Sequence, residues 1–487
     1  MSSTPTIDEK QVGVSTDVSN SDGYQSDVER DWYDAEEKKL VRKLDFIVLA
    51  LLTLAFFALQ IDRGNIGNAL TDNFLKDVGI TQYQFNVGQQ LLSLGIVLLE
   101  IPSNIVLYKL GPTIWIGGQI IAWGLVATFQ AFQHGLGPYL ATRLLLGLCE
   151  AGFIPAGLYT ITRWYKRDET SKRFSVFFLG NMLAGACTGL VAYGILHMRG
   201  VRGLAGWQWL FLIEGMITVA IGILFITFFP KSPSNPVSIL GIRYFNEREV
   251  HILSRRVLLD DPSKIHTHTH ISKQEIKNAL TNWRLIPHVI LTISALSPAS
   301  TMMSYAPTLV ASFGYPKLKA NAMTSIGAWM LLITNVSWGF ISDRYGRRGL
   351  MVFLGMLIYW GFQLGNRLAI HSANSHLRFG LLVTSVAFGS NWHPVNGSWM
   401  ASNAKSAGER SITLAIFIMS ANTSGIVGSQ LLQAKDSPLY KTGWTVMLAL
   451  VSVGLVMSVI ANVQYYLLNK KKQREQPGID VQELYKI

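Results

Sequence analysis

Gly339-Phe340-Ile341-Ser342-Asp343-Arg344-Tyr345-Gly346-Arg347-Arg348 joins two apolar runs, 322–341 and 349–369. So short a charged joint between nonpolar segments reads as a tight turn at the edge of a nonpolar layer. Gly346 permits the left-handed backbone that such a turn needs. Asp343 can face a helix N-terminus, and Arg344, Arg347 and Arg348 mark the side on which a membrane protein keeps its positive charge. The joint therefore predicts two spanning helices and a hairpin between them.

Outward from this hairpin the same pattern repeats. A spanning helix needs about 20 predominantly apolar residues. Runs that meet the need lie at 44–69, 83–107, 112–132, 138–162, 173–196, 207–229, 285–312, 322–341, 349–369, 378–402, 411–433 and 443–468. The expected fold is an all-α membrane protein of twelve transmembrane helices. An even number puts both chain ends on one side. Lys38, Lys39, Arg42 and Lys43 precede the first run, and Lys166, Arg167, Lys172 and Arg173 lie in or beside the fourth connection. Lys405 and Arg410 fill the tenth, and Lys470, Lys471, Lys472 and Arg474 follow the last run. The odd connections carry fewer bases, so both termini are expected in the cytoplasm, with the plasma membrane as the expected location.

Residues 231–284 are polar and divide the runs into two sets of six, 37–230 and 285–469. This segment is expected to be a cytoplasmic central loop, and 1–36 and 470–487 disordered cytoplasmic tails. Residues 1–36 lack an apolar segment, so the first span is expected to serve as an uncleaved insertion signal. Two six-helix halves joined by a polar linker match the major facilitator architecture, in which substrate sites lie between the halves.

Composition narrows the function. Charged residues make up 15% of the 487, against about 25% in soluble domains. The net charge of +12 sits in short clusters between apolar runs, which argues for membrane topology and against a nucleic-acid partner. Cys149 and Cys187 fall inside apolar runs and read as reduced core residues. His266, His268 and His270 alternate with Thr in the central loop; without a Cys partner they read as solvated, so no metal and no cofactor are expected. No H-E-x-x-H, G-x-S-x-G or P-loop pattern points to an enzyme.

The chemistry concentrates in two spans. Phe46 through Ile61 is uncharged, and Asp62 and Arg63 follow. A helix ending at Ile61 would reach about 24 Å, short of the roughly 30 Å nonpolar core. Continuation to Ala69 places Asp62 and Arg63 within the membrane, where charge is costly and marks a pathway. The other reading is a pair of caps on a short helix. In the fourth span Arg143, Gly147 and Glu150 share one helix face, with Arg143 about one turn in and Glu150 about two turns deeper. Arg63 and Arg143 then reach similar depths. Two guanidiniums on one cavity suit a carboxylate, sulfonate or sulfate, while Asp62 and Glu150 can take up protons. The alternative is a pair of internal salt bridges that only orient the helices.

The loop 339–348 fully matches the G-x-x-x-D-R-x-G-R-R pattern of the major facilitator superfamily, which gives Asp343, Arg344, Gly346 and Arg347 a gating role. Its counterpart Tyr108-Lys109-Leu110-Gly111-Pro112 is degenerate. Asp62-Arg63-Gly64-Asn65-Ile66-Gly67-Asn68-Ala69 resembles the first-helix signature of the anion:cation symporters, especially the fungal allantoate permease family. Arg143 to Pro155, Trp164 to Glu169, Gly206 to Gly215 and Glu100 to Asn104 resemble that family too, over essentially 37–470. The resemblance implies proton-coupled uptake of a small organic anion by a monomer. By the residues it matches, it implies substrate contact at Arg63, a binding and proton-coupling network of Arg143 and Glu150, and protonation of Asp62. Asn422 is aligned with a substrate-contacting polar residue. Gln84 to Gln90 with Leu98 to Ile101 looks most like the branch of alternative sulfate, sulfonate and cysteine carriers. Two other classes stay open: a drug or metabolite antiporter, and a nutrient sensor that binds without transport.

Overall fold

The computed structural model describes residues 31–260, 273–404, 407–476 and 484–486. Lys405, His266, His268 and His270 lie outside them.

Among the described residues the regular secondary structure is helical, apart from one isolated bridge between Val237 and Arg243. The first half comprises α1 (Asp34–Leu44), α2 (Ala50–Ala69), α3 (Phe74–Val78), α4 (Gln82–Leu110), α5 (Pro112–Phe129), α6 (Leu136–Glu150), α7 (Phe153–Trp164), α8 (Arg167–Leu196) and α9 (Gly206–Phe228). Two polar helices follow, α10 (Glu247–Asp260) and α11 (Lys273–Leu280). The second half comprises α12 (Ile286–Ser312), α13 (Lys317–Tyr345), α14 (Arg348–Leu368), α15 (Ser375–Phe388), α16 (Trp392–Ser402), α17 (Ala407–Gly428) and α18 (Lys441–Glu475). Among the described residues, nine helical stretches are long and apolar enough to cross a membrane. Helix α4, the pair α15–α16 and α17 occupy the other three of the twelve apolar runs.

Three departures from the simplest reading have physical causes. The helix that leads into the first crossing begins at Asp34, ahead of the apolar run and inside the range read as a tail, where Glu36 reaches back to the Tyr33 N–H at 3.0 Å and caps it. It then runs through one π turn, Asp45–Leu49, without a break. The fourth crossing splits between Glu150 and Phe153: Ala151 is extended and Gly152 takes φ +79°, a left-handed value natural to glycine. The tenth crossing splits at Gly389–Asn391, and Pro394 sits in the first turn of α16, where its missing N–H costs nothing.

Packing between helices uses close backbone approach, as expected in lipid. A Cβ on Gly147 of α6 would lie 2.1 Å from the Leu92 carbonyl oxygen of α4. On the face that carries both chain ends, α10 folds back on α1 and the α7–α8 turn. There Glu37 accepts the Trp32 Nε1–H at 3.0 Å and pairs with Lys166, Arg256 pairs with Glu169, and Lys43 meets Glu249 at 2.9 Å. Burial alone would raise the Glu37 carboxyl, but the Lys166 and Trp32 hydrogen bonds and the Lys166 and Arg256 charges hold it below its ordinary value.

Candidate functional site

Helix α2 continues unbroken through Asp62 and Arg63 to Ala69, so both lie inside a crossing helix. The two neighbours point to different partners. Arg63 Nε donates to Glu150 Oε2 at 2.6 Å, joining α2 to the end of α6. The Glu150 side chain is wholly covered, whereas 17% of the Arg63 side chain stays exposed. Glu150 is the last residue of α6, where unpaired carbonyls give the helix end a partial negative charge. A carboxylate there needs a cation beside it, and Arg63 supplies one. The break that follows is braced by Gln119 of α5, whose Nε2 donates to the Ala151 carbonyl at 2.7 Å and the Cys149 carbonyl at 3.2 Å.

Asp62 turns the other way. Thr218 Oγ1 of α9 donates to Asp62 Oδ2 at 2.9 Å. One turn before Thr218, Glu214 is buried, and neither of its carboxyl oxygens has a hydrogen-bond partner among the described residues. Arg143 shares the α6 face with Gly147 and Glu150, and all three are buried. Its guanidinium donates to Gln130, reaches Gln89 Oε1 at 3.5 Å and lies 6.0 Å over the Tyr139 ring. Arg143 has no exposed surface. Asn422 of α17 donates from Nδ2 to Glu100 Oε2 of α4 at 3.3 Å, a contact between the two halves. The structure thus pairs Arg63 with Glu150 inside the first half, Glu100 with Asn422 across the halves, and Asp62 with Thr218 of α9.

The halves are fastened on the face away from the chain ends. Gln82 and Asn86 of α4 donate to the Leu432 carbonyl at 3.2 and 3.0 Å, and Gln90 donates to the Ile426 carbonyl at 3.2 Å. Tyr305 donates to Asn86, and Asn321 donates to Thr71 at 2.8 Å. A Cβ on Gly67 would lie 2.7 Å from the Ser304 carbonyl oxygen, so α2 and α12 touch there backbone to backbone. On the opposite face α13 ends at Tyr345, Gly346 takes φ +64° and α14 starts at Arg348. Asp343, Arg344 and Arg347 are exposed there, without an ion pair among the described residues. Asp343→Asn is expected to slow transport several-fold while leaving equilibrium ligand binding nearly unchanged. A large loss of binding in the purified variant would contradict a gating role.

Glu214 and Glu100 fall within the stretches Gly206 to Gly215 and Glu100 to Asn104, where the sequence assigns them no role. Each stands as a lone acid within a long apolar stretch, and that solitude was the available signal. His393, in the first turn of α16, stacks on Phe417 with ring centroids 4.3 Å apart.

Two helical halves fastened at one face, with a charged cluster between them, define a membrane carrier. The chain belongs to the Major Facilitator Superfamily, whose sequence profile matches residues 52–429. It is similar to an uncharacterized transporter of Saccharomyces cerevisiae, 29% identical, over 94% of this chain and 86% of that one. It is also similar to the MFS-type transporter cnsO of Penicillium expansum, 27% identical, over 92% and 87% of the two chains. Among solved structures, the xylose transporter XylE from E. coli superimposes with a TM-score of 0.64 at 15% identity, covering 85% of this chain and 95% of that one. A bacterial homolog of the human lysosomal transporter Spinster gives 0.63 at 14% identity, covering 87% and 96%. The chain is a membrane transporter of the major facilitator class.

Proposed function

We propose that this transporter imports a small organic or sulfur-containing anion together with protons, by alternating access. The observation that carries the reading is Arg63: a guanidinium inside the membrane, partly exposed, held by one covered carboxylate at 2.6 Å. A planar donor fork that cannot deprotonate suits a carboxylate, sulfonate or sulfate. In this reading an arriving anion takes over the Arg63 donors, and Glu150, losing its counterion, takes up a proton. Electroneutrality inside a low-dielectric layer favours that exchange, because neither charge is left unpaired. Asp62, with Thr218 and Glu214, forms a second proton site behind it. Asn422 and Glu100 carry the change to the second half.

The basic clusters support cytoplasmic chain ends. The fastened face is then the outer one, and the arrangement faces inward. A plasma-membrane monomer belonging to the anion:cation symporters, within the allantoate permease family and its sulfate, sulfonate and cysteine branch, is the finer form of this proposal.

Uptake of labelled cysteine, taurine, sulfate and nicotinate by transport-deficient cells expressing the chain tests it. For the transported anion, uptake should rise severalfold as external pH falls from 7.5 to 5.5, and a protonophore should abolish accumulation. Uptake that depends on sodium and ignores pH would overturn proton coupling. Substrate-stimulated efflux would favour an antiporter, and saturable binding without uptake a sensor.

A further inference from the structure

The chain end returns to the protein. Leu484, Tyr485 and Lys486 follow the last crossing helix, and the backbones of Tyr485 and Lys486 are held by side chains of the second half. Asn469 of α18 donates from Nδ2 to the Tyr485 carbonyl at 2.9 Å and accepts the Tyr485 N–H on Oδ1 at 2.8 Å. Asn403, just past α16, accepts the Lys486 N–H on Oδ1 at 2.8 Å and donates from Nδ2 to the Lys486 carbonyl at 3.0 Å. Trp399 Nε1 donates to that same carbonyl at 2.7 Å. Each carboxamide thus offers one donor and one acceptor to one residue's backbone, as a neighbouring strand would.

The Tyr485 side chain is fixed as well. Its ring lies 5.7 Å from the Tyr465 ring, with the Arg284 guanidinium 4.8 Å and the Lys472 ammonium 4.2 Å from its centroid. Arg284 also donates to the Tyr485 hydroxyl. The seat draws on two helices: Asn403 caps the C-terminal end of α16 four residues after Trp399, and Tyr465, Asn469 and Lys472 share one face of α18 by i, i+4, i+7. Trp399 is fully buried and its ring meets His288 of α12 at 4.7 Å.

We propose that the groove between α16, α18 and the turn before α12 is an intramolecular peptide-binding site, and that its ligand is the chain's own C-terminal segment, centred on Tyr485. Backbone capture by two asparagines gives affinity, and the cation-lined ring pocket selects an aromatic residue. The docked segment ties α16, which follows the Gly389–Asn391 break, to α18 and the start of α12. It is independent of what the transporter carries.

Hydrogen exchange on the purified full chain tests the site directly. The Tyr485 and Lys486 amides should exchange at least tenfold more slowly than in a free peptide. Asn403→Ala with Asn469→Ala should return them to the free rate, with the thermal transition checked to show that the helices remain folded. A fluorescent synthetic peptide of residues 477–487 should bind saturably to a chain ending at Gln476. The same peptide carrying Tyr485→Ala should bind at least tenfold more weakly, a change that cannot disturb the folding of the transporter. Free-peptide exchange rates in the unaltered chain, or equal binding of both peptides, would overturn the proposal.

Discussion

Arg63→Ala should abolish anion uptake in protein that still reaches the membrane, and Arg63→Lys should lower apparent affinity ten- to hundredfold. Lysine keeps the charge but offers a compact ammonium in place of a planar fork. A charge-assisted hydrogen bond lost with that fork is worth roughly 1.5–3 kcal/mol, and each 1.4 kcal/mol is about tenfold in binding. Alanine removes more. It strips the substrate of its cation and leaves Glu150 facing the negative end of α6 without a counterion, a loss of about 3–5 kcal/mol for a broken buried pair. Since Arg63 pairs with Glu150 and not with its chain neighbour Asp62, the informative second change is Glu150→Gln. Arg63→Ala with Glu150→Gln should recover expression. If the pair only braces the helices, transport returns with it; if Arg63 binds the anion, transport stays absent. Normal uptake by Arg63→Ala alone, measured with surface-labelled protein, would sink the binding role.

Glu150→Gln by itself should uncouple the carrier. The amide oxygen can still accept the Arg63 N–H, so the local geometry is kept while the proton-binding group is lost. Concentrative uptake at acid external pH should fall by at least tenfold. Exchange of labelled for unlabelled anion across vesicles, which needs no net proton movement, should persist. Full pH-driven accumulation by the variant would transfer the coupling role to Asp62 with Glu214.

Much of the architecture was legible because the membrane imposes it. Twelve apolar runs, a polar divide at 231–284 and a glycine at 346 leave few alternatives, and α2 had to continue past Asp62 to cover the nonpolar layer. The site was legible in its residue types and less so in its pairings. Counting residues along a helix gives depth, and depth alone placed Arg63 and Arg143 side by side on one cavity. Direction around the helix axis then separates them. Arg143 turns toward Gln130 and Gln89, whereas Arg63 reaches the end of α6. The split after Glu150 was encoded by Gly152, but a single glycine in a long apolar run also suits an unbroken membrane helix. Its consequence, a carboxylate at a helix end, depends on Gln119, 32 residues before the Ala151 carbonyl it holds, and leaves no local trace. Glu214 escaped a role because nothing in one dimension says that α9 lays it beside Asp62.

The contacts of α4 with Leu432 and Ile426 have an asymmetric authorship. The amides that donate belong to Gln82, Asn86 and Gln90, whereas the groups that accept are peptide oxygens from the last turn of α17 and the residues after it. Peptide oxygens at a helix terminus are spare, and every residue type carries one. These three contacts therefore read the letters of one partner and only the path of the other, while Tyr305, Asn321 and Gln430 fasten the halves through their own side chains. Substitution at 426 or 432 leaves the oxygen in place, so a new side chain there is constrained by packing, which buries Leu432 completely, and not by the hydrogen bond. A lock whose keyhole is drawn partly in backbone keeps those three fastenings through a change of side chain on that half.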